Sequence, residues 1–426
     1  MPARLLAARP IRPLLPRAGH ALAIASVIAA VTASCGSAGL TEARASREPP
    51  ALGIDWAKAR SVERPEGFDI PGPSESVPVP DGTGRSGHPT HFSGQAMVAD
   101  VVAVPSVGFV AVGYAYPGWH PVAWTSADGE DWALQEMDRS QFTLAVSVAV
   151  GPDGTIVAVG HSGRAPVSWT STDGKTWRRH DAATVGDPSV PERMTTVFAT
   201  RQGFVAGGSA GPELGERDAR FWTSPDGGSW TPVDDDAAAF ADAEVRSIAA
   251  AGSRLVAVGV VGSAQAISGS VAWTSSGGTS WARHAAPDLA RGRTVAVTTA
   301  PSGGLVAVGS DLDEREAMAW TSADGASWTI APSEASRQYP GKIRMTDVTV
   351  AGQSLVAVGN YVGVQYGTAT AWTSRDGIHW TQARSAPDQE QGEFYAAVAG
   401  GPGVIAVGSF GAPDNYIPTV WLSPPR

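Results

Sequence analysis

The sequence predicts an all-β protein: a seven-bladed β-propeller of four-stranded antiparallel blades, closed by an N-terminal strand. Three observations predict it. Fourteen of the 15 tryptophans fall into seven pairs with a period of about fifty residues, the range of radially arranged units. A Val-Ala-Val-Gly signature recurs with the same period, ending at Gly113, Gly160, Gly259, Gly309 and Gly359, with altered copies at Gly208 and Gly408. Gly (50) and Pro (32) are abundant and 43% of residues are hydrophobic, yet no apolar run approaches membrane-spanning length; many short strands with tight turns fit this composition.

The second unit shows how one blade is read. Phe142 to Val150 is β-branched and apolar, and Gly151-Pro152-Asp153-Gly154 is a turn. Thr155 to Gly160 is too uniformly apolar to keep a wet face, as an inner strand requires. Val167 to Ser171 follows a variable loop, and a fourth strand is expected around Trp177. Between strands three and four the pattern is Trp-Thr-Ser-x-Asp-Gly-x-x-Trp. A three-residue x-Asp-Gly loop with left-handed glycine would set Trp124 directly across from Trp132, and Pro225 suits the second position of such a turn. A cross-strand tryptophan pair is therefore expected in every blade. Unit four lacks the aspartate (Ser275-Ser276-Gly277-Gly278), so the aspartate assists the turn without being essential.

The first tryptophans are Trp124, Trp169, Trp222, Trp273, Trp320, Trp372 and Trp421; the second are Trp132, Trp177, Trp230, Trp281, Trp328 and Trp380. The missing seventh partner has a counterpart at the other end of the chain, Trp56. Gly53-Ile54-Asp55-Trp56-Ala57-Lys58-Ala59-Arg60 matches Gly377-Ile378-His379-Trp380-Thr381-Gln382-Ala383-Arg384 at five of eight positions. Residues 51–60 are thus expected to supply the last blade's fourth strand and seal the ring, leaving no exposed sheet edge. Residues 61–90 read as a Pro/Gly-rich loop and 91–426 as the propeller repeats.

The N-terminus reads as an export signal over residues 1–34. Arg4, Arg9, Arg12 and Arg17 precede a short apolar core, Ala21 to Val31, and then Thr32-Ala33-Ser34-Cys35. Small residues before a cysteine resemble the lipobox of bacterial lipoproteins, which implies that Cys35, the only cysteine, is lipidated and that residues 35–50 form a flexible tether. The expected location is the outer face of the cell membrane, with a lipid anchor. The formal charge is −10, and without the leader the balance is 27 basic to 41 acidic residues. Such a surface repels phosphate backbones, so no nucleic-acid partner is expected.

The Ser-x-Asp-Gly-x-x-Trp hairpin resembles the Asp-box, or BNR, repeat of sialidase-like propellers. It is carried by Ser126, Asp128, Gly129 and Trp132, by Ser171, Asp173, Gly174 and Trp177, and by similar sets around Asp226, Asp324 and Asp376. It lacks one residue that the usual box has between aspartate and glycine. The resemblance implies a structural turn on the face away from the ligand site. Sialidase-like chemistry would need an arginine cluster, a Tyr/Glu nucleophile pair and an acid, and no sequence marker identifies them.

Other motifs are set aside. Gly207-Gly208-Ser209-Ala210-Gly211 lacks the strand-turn-helix context of a nucleophile elbow, and Gly82-Thr83-Gly84-Arg85-Ser86-Gly87 lacks that of a dinucleotide loop. His88 and His91 lack further ligands, and repeat position explains His180 and His284. Asp311, Asp313 and Glu314 read as a solvated acidic loop rather than a calcium site, so no metal and no cofactor are expected.

The loops joining strands two to three, and blade to blade, share one face. Tyr114, Tyr116, Tyr361, Tyr366 and Tyr416 are expected in the former, with Trp119 and His120; Tyr339 and Tyr395 are expected in the latter. Aromatics gathered on one rim suit recognition of a protein or glycan. The function expected is a non-catalytic cell-surface binding or assembly module, no catalytic residue being assigned. The alternative is a glycan-active hydrolase of the Asp-box group.

Overall fold

The computed structural model describes residues 60–61 and 96–423, apart from 117, 186, 188, 213–214, 235–236, 264–265, 333–340, 363–366, 384–391, 402 and 411–416. All belong to one compact unit, Pro50–Arg426. They form seven four-stranded antiparallel sheets in sequence order around an axis. Blade one is Ala96–Val104, Gly108–Ala115, His120–Ser126 and Ala133–Glu136; blades two to six repeat this order and reach Gln382. Blade seven holds Gly392–Gly400, Gly403–Phe410 and Ile417–Ser423. Its last strand pairs with Arg60–Ser61, Ser61 lying opposite Trp421. Trp56 and the rest of 51–59 lie outside the described residues, as do Cys35, the leader, the tether, His88 and His91.

The ring is held by tryptophan packing between neighbours. The seven first tryptophans are fully buried, each in a cluster shared with the preceding blade. Trp169 and Trp177 pack with Val110, Val112 and Ala123 of blade one, and Trp222 and Trp230 with Val157 and Val159 of blade two. The sequence continues to Trp421, which meets Val356 and Val358 of blade six. Blade one closes the circle: Trp124 and Trp132 share a cluster with Ile405, Val407, Val420 and Leu422 of blade seven. First strands of successive blades touch all the way round, including seven to one. These strands therefore surround the central channel.

The expected cross-strand tryptophan pairs do not form. Trp124 faces Leu134, Trp169 faces Arg179 and Trp372 faces Gln382, so each second tryptophan falls two residues short of the opposing position. It belongs to a longer turn, and the fourth strand begins after it. Side-chain hydrogen bonds are the reason. In blade one Ser126 Oγ accepts the Gly129 N–H at 2.8 Å, and Asp128 Oδ1 accepts the N–H groups of Glu130 (2.8 Å) and Asp131 (3.0 Å). The Trp132 indole N–H then folds back onto the Gly129 carbonyl at 2.9 Å. These bonds satisfy the turn's backbone locally, in competition with strand pairing. The backbone N–H groups of Asp131 and Glu130 hold the Asp128 carboxyl below its ordinary range. Blade four keeps the Ser275 and Trp281 contacts without an aspartate.

The box glycine has two duties. It adopts the expected left-handed φ, +84° at Gly129 and +75° at Gly227. It also lies against the preceding blade: a Cβ on Gly227 would sit 2.2 Å from Val157, and one on Gly129 would sit 2.5 Å from Ile405 of blade seven. The signature glycine acts differently. It is not the strand terminus, because second strands run on past it, to Ala115 in blade one and Ser263 in blade four. It faces a bulge in the first strand, where pairing skips Ala99, Val146, Thr195, Arg246, Val295, Thr346 and Tyr395 in turn. A Cβ on Gly160 would fall 1.8 Å from the Leu144 carbonyl oxygen, so only glycine fits.

Replacing Trp222 with alanine is expected to cost about 3–5 kcal/mol, from lost contacts and the cavity left against blade two. The measurement is urea unfolding, and a midpoint equal to wild type would refute this account of the interface.

Candidate functional site

Topology puts the box turns at one end of the ring and the variable loops at the other. Backbone bonds tie the strand-two-to-three loops of blades one, two and five to the entry of the following blade, with Glu192 N–H donating to Arg164 O (2.8 Å) and Ile343 N–H to Glu314 O (2.6 Å) in the latter two. Phe142 N–H donates to Gly118 O (2.7 Å) and Thr143 N–H to Trp119 O (2.8 Å), binding the strand-two-to-three loop of blade one to the entry of blade two.

The aromatic group expected here is real but smaller. Trp119 holds a left-handed φ of +50° and is flanked edge-on by Tyr114 (5.5 Å) and Tyr116 (5.8 Å). His120 begins the next strand beside it. Phe142, 66% exposed, extends this patch, and Tyr116 is also exposed. Burial pushes the Tyr114 phenol up from its ordinary pKa. Three expectations need correction, because second and first strands are longer than the signature suggests. Tyr114 lies at the end of a strand. Tyr361 lies within the second strand of blade six, opposite Ile343 and Thr368, packed against the core. Tyr395 is the bulge residue of blade seven, not a loop residue. Tyr339, Tyr366 and Tyr416 lie outside the described residues.

Closer to the axis the same face is lined by arginines, which the sequence reading missed. Arg193, Arg293 and Arg344 occupy one equivalent position, just before the bulge, in the first strands of blades three, five and six. Arg246 is the bulge residue of blade four. The available signal was positional: each of the first three lies fifteen or sixteen residues before its signature glycine. Glu244 pairs with Arg246 at 3.3 Å and with Arg217. Glu314 receives Lys342 Nζ at 2.8 Å and the Nη1 atoms of Arg293 and Arg344 at 3.3 Å each. Burial would raise the Glu314 pKa, but the Lys342 hydrogen bond and the charges of Arg344, Lys342 and Arg293 hold it below the ordinary range. Glu314 is therefore not part of a solvated acidic loop but a buried carboxylate inside a cationic cluster, while Asp313 is exposed as expected. Asp311 instead accepts the Arg315 and Glu316 N–H groups. Among the described residues no cluster of three His, Cys, Asp or Glu could hold a metal.

Two further features bear on chemistry. Tyr395 Oη lies 3.1 Å from Glu393 Oε2 and 2.8 Å from Ser409 Oγ, a Tyr/Glu pair on the same face. Along the channel Asp100 and Asp347 follow their bulges and bridge blades. Asp100 accepts Ser147 Oγ–H (3.0 Å) and Val148 N–H (2.9 Å), and Asp347 accepts Ala397 N–H (2.8 Å). Burial pushes the Asp100 carboxyl up to about 6, and burial with the Asp100 charge pushes Asp347 up to about 7. Ser209 continues a strand and bonds Glu244 Oε2, so it forms no nucleophile elbow. His180 and His284 make the same cross-strand bond, to Thr170 and Thr274, as repeat equivalents should. No helix among the described residues is long and apolar enough to cross a membrane.

No protein-family model matches the chain, and no curated protein matches it. Among solved structures it is similar to a PL25 polysaccharide lyase, an ulvan lyase (TM-score 0.51, 13% identity, 77% of this chain and 94% of that one). It is also similar to YCF48 bound to D1 peptide (TM-score 0.48, 16% identity, 78% and 92%). A third is a sialidase of Trypanosoma rangeli (TM-score 0.46, 11% identity, 77% and 54%). At 13% identity the likeness to the lyase speaks for the fold alone.

The two channel aspartates set a pH dependence. A carboxyl with a raised native pKa keeps a proton that the unfolded chain has lost, between roughly pH 4 and 7. Its contribution to stability therefore falls as pH rises through that window. Asp347→Asn should raise the melting temperature at pH 8 relative to wild type and narrow the gap at pH 5; parallel curves for the two proteins would contradict it.

Proposed function

We propose that this protein is an exported, lipid-anchored binding module that captures its ligand on the loop face. The observation that carries this reading is the Trp119 platform. A large aromatic side chain is braced by two tyrosine edges, its backbone is pinned to blade two, and exposed Phe142 lies beside it. Rigid aromatic surface of this kind gives contact area at low entropic cost. A catalytic reading finds less support. The Asp100 and Asp347 carboxylates are engaged by backbone N–H groups of their own and neighbouring blades, and the Tyr395 phenol is already bonded to Glu393 and Ser409. The box aspartates stabilise turns on the opposite face, which suits a structural role.

A soluble form starting at Gly36, screened on glycan and peptide arrays, is expected to give hits that the double variant Trp119→Ala, Tyr116→Ala loses. Its unfolding midpoint should stay near wild type, because both side chains reach solvent. Hits that survive the double substitution would remove the platform from the site. Anchoring rests on the Thr32-Ala33-Ser34-Cys35 segment: palmitate supplied to expressing bacteria should label the wild-type chain and leave Cys35→Ser unlabelled, and equal labelling would dismiss the anchor.

A further inference from the structure

We infer that blades six and seven form a pH-sensitive section of the ring, bounded at the channel by two joints that lack a cross-blade hydrogen bond and carry Asp347 and Asp100 beside them. The repeat shows the rule and its two departures. The residue after the bulge accepts an N–H from the next blade in four cases. Ser147 Oγ accepts Val197 N–H at 3.3 Å, and Ser247 Oγ accepts Val297 N–H at 3.1 Å. Asp100 Oδ2 and Asp347 Oδ2 do the same for Val148 (2.9 Å) and Ala397 (2.8 Å). Blades five and seven carry Ala296 and Ala396 at this position, and a methyl group accepts nothing. The N–H groups deprived of a cross-blade acceptor are those of Val348 in blade six and Val101 in blade one. Each is taken by the aspartate directly before it, Asp347 Oδ1 and Asp100 Oδ1, both at 2.8 Å. Aspartate thus stands only in the two blades that follow an alanine. A carboxylate has one oxygen for each of the two N–H groups, where serine has a single oxygen.

These carboxyls have no counter-charge beside them. Beyond the bulge the seven first strands hold no ionisable residue except these two. The ionisable groups on the strands packed against them are Tyr114, Arg293, Asp311, Tyr361, Glu393 and Tyr395, all at the bulge or toward the loop-face ends. Lys342 and Arg344, on the Asp347 strand itself, also precede the bulge. Burial outweighs the N–H bonds at both carboxyls, and the Asp100 charge adds to the effect at Asp347. With native pKa values raised to about 6 and about 7, the stability they contribute at acid pH is lost as pH rises through that range. The loss falls on the joints between blades five and six and between seven and one, where alanine leaves no cross-blade bond at this level. Blades six and seven stay tied to each other, Thr346 Oγ1 donating to Phe394 O (2.8 Å) and Asn360 Oδ1 accepting Phe394 N–H (2.6 Å). They therefore loosen at the channel as a pair.

The test is amide hydrogen exchange of the wild-type chain at pH 5 and pH 8, corrected for intrinsic rates. Protection of Val101 and Val348 is expected to fall at least about tenfold at the higher pH, the factor carried by one pKa unit, while Val197 and Val297 at the serine joints hold steady. The fourfold variant Asp100→Ser, Ala296→Ser, Asp347→Ser, Ala396→Ser rebuilds serine joints on both sides and should lose the difference between the two pH values. Asp347→Ser alone should leave Val348 N–H without its acceptor and poorly protected at both. A uniform fall at all four amides, a fall at one joint alone, or no fall at any overturns the section. So does a pH response that persists in the folded fourfold variant. The wild-type comparison stands by itself should a variant fail to fold, because it needs no substitution.

Discussion

Every blade depends on a tryptophan buried in its neighbour. An isolated four-stranded blade of this composition presents two apolar faces, with Val, Ala and Trp filling the inner strands, and neither face can be left in water. Each first tryptophan meets the valines of the preceding blade's second strand, and the box turn presses its glycine onto one of the same valines. A side chain on that glycine would push the blades apart. The turn therefore has two tasks: it reverses the chain and fits the neighbouring blade closely enough for the indoles to be covered.

The bulge facing the signature glycine connects this framework to the site. It breaks the alternation of the first strand and re-aims one residue per blade at the axis. Where that residue is Thr195 or Thr346, its hydroxyl bonds the next blade, to Val245 O and Phe394 O. Where it is Arg246 or Tyr395, it becomes part of the loop-face chemistry. The residue after the bulge acts as a blade-to-blade tie in Asp100, Ser147, Ser247 and Asp347. One repeated backbone irregularity thus offers seven positions that vary in chemistry without disturbing the ring.

This explains which parts were legible in the sequence. Blade number, strand order and inner-strand burial followed from tryptophans and glycines, residues whose size or absence of a side chain has no substitute in packing. The hairpin was misjudged because Ser126 and Asp128 bond the turn's own N–H groups, which lengthens the loop beyond what strand pairing alone would choose. The aromatic rim was overdrawn because Gly113 and Gly359 looked like strand ends, although the strands continue through them to Tyr114 and Tyr361. The arginines escaped notice because first strands carry no shared signature. Their alignment appears only once the bulge register is known, and an arginine in a strand reads by default as a solvated face.

The direction of the packing has a consequence for biogenesis. Blades two to seven each find their partner surface already made, since it precedes them in the chain. Blade one does not: the residues that cover Trp124 and Trp132 are Ile405, Val407 and Val420, nearly three hundred positions downstream. During synthesis from the N-terminus its indoles must stay uncovered until the final segment emerges, so the oldest part of the nascent polypeptide is the last to be sheltered. A ribosome-bound chain thus displays a sticky leading edge throughout its production, and chaperone capture there would guard against premature pairing with other copies.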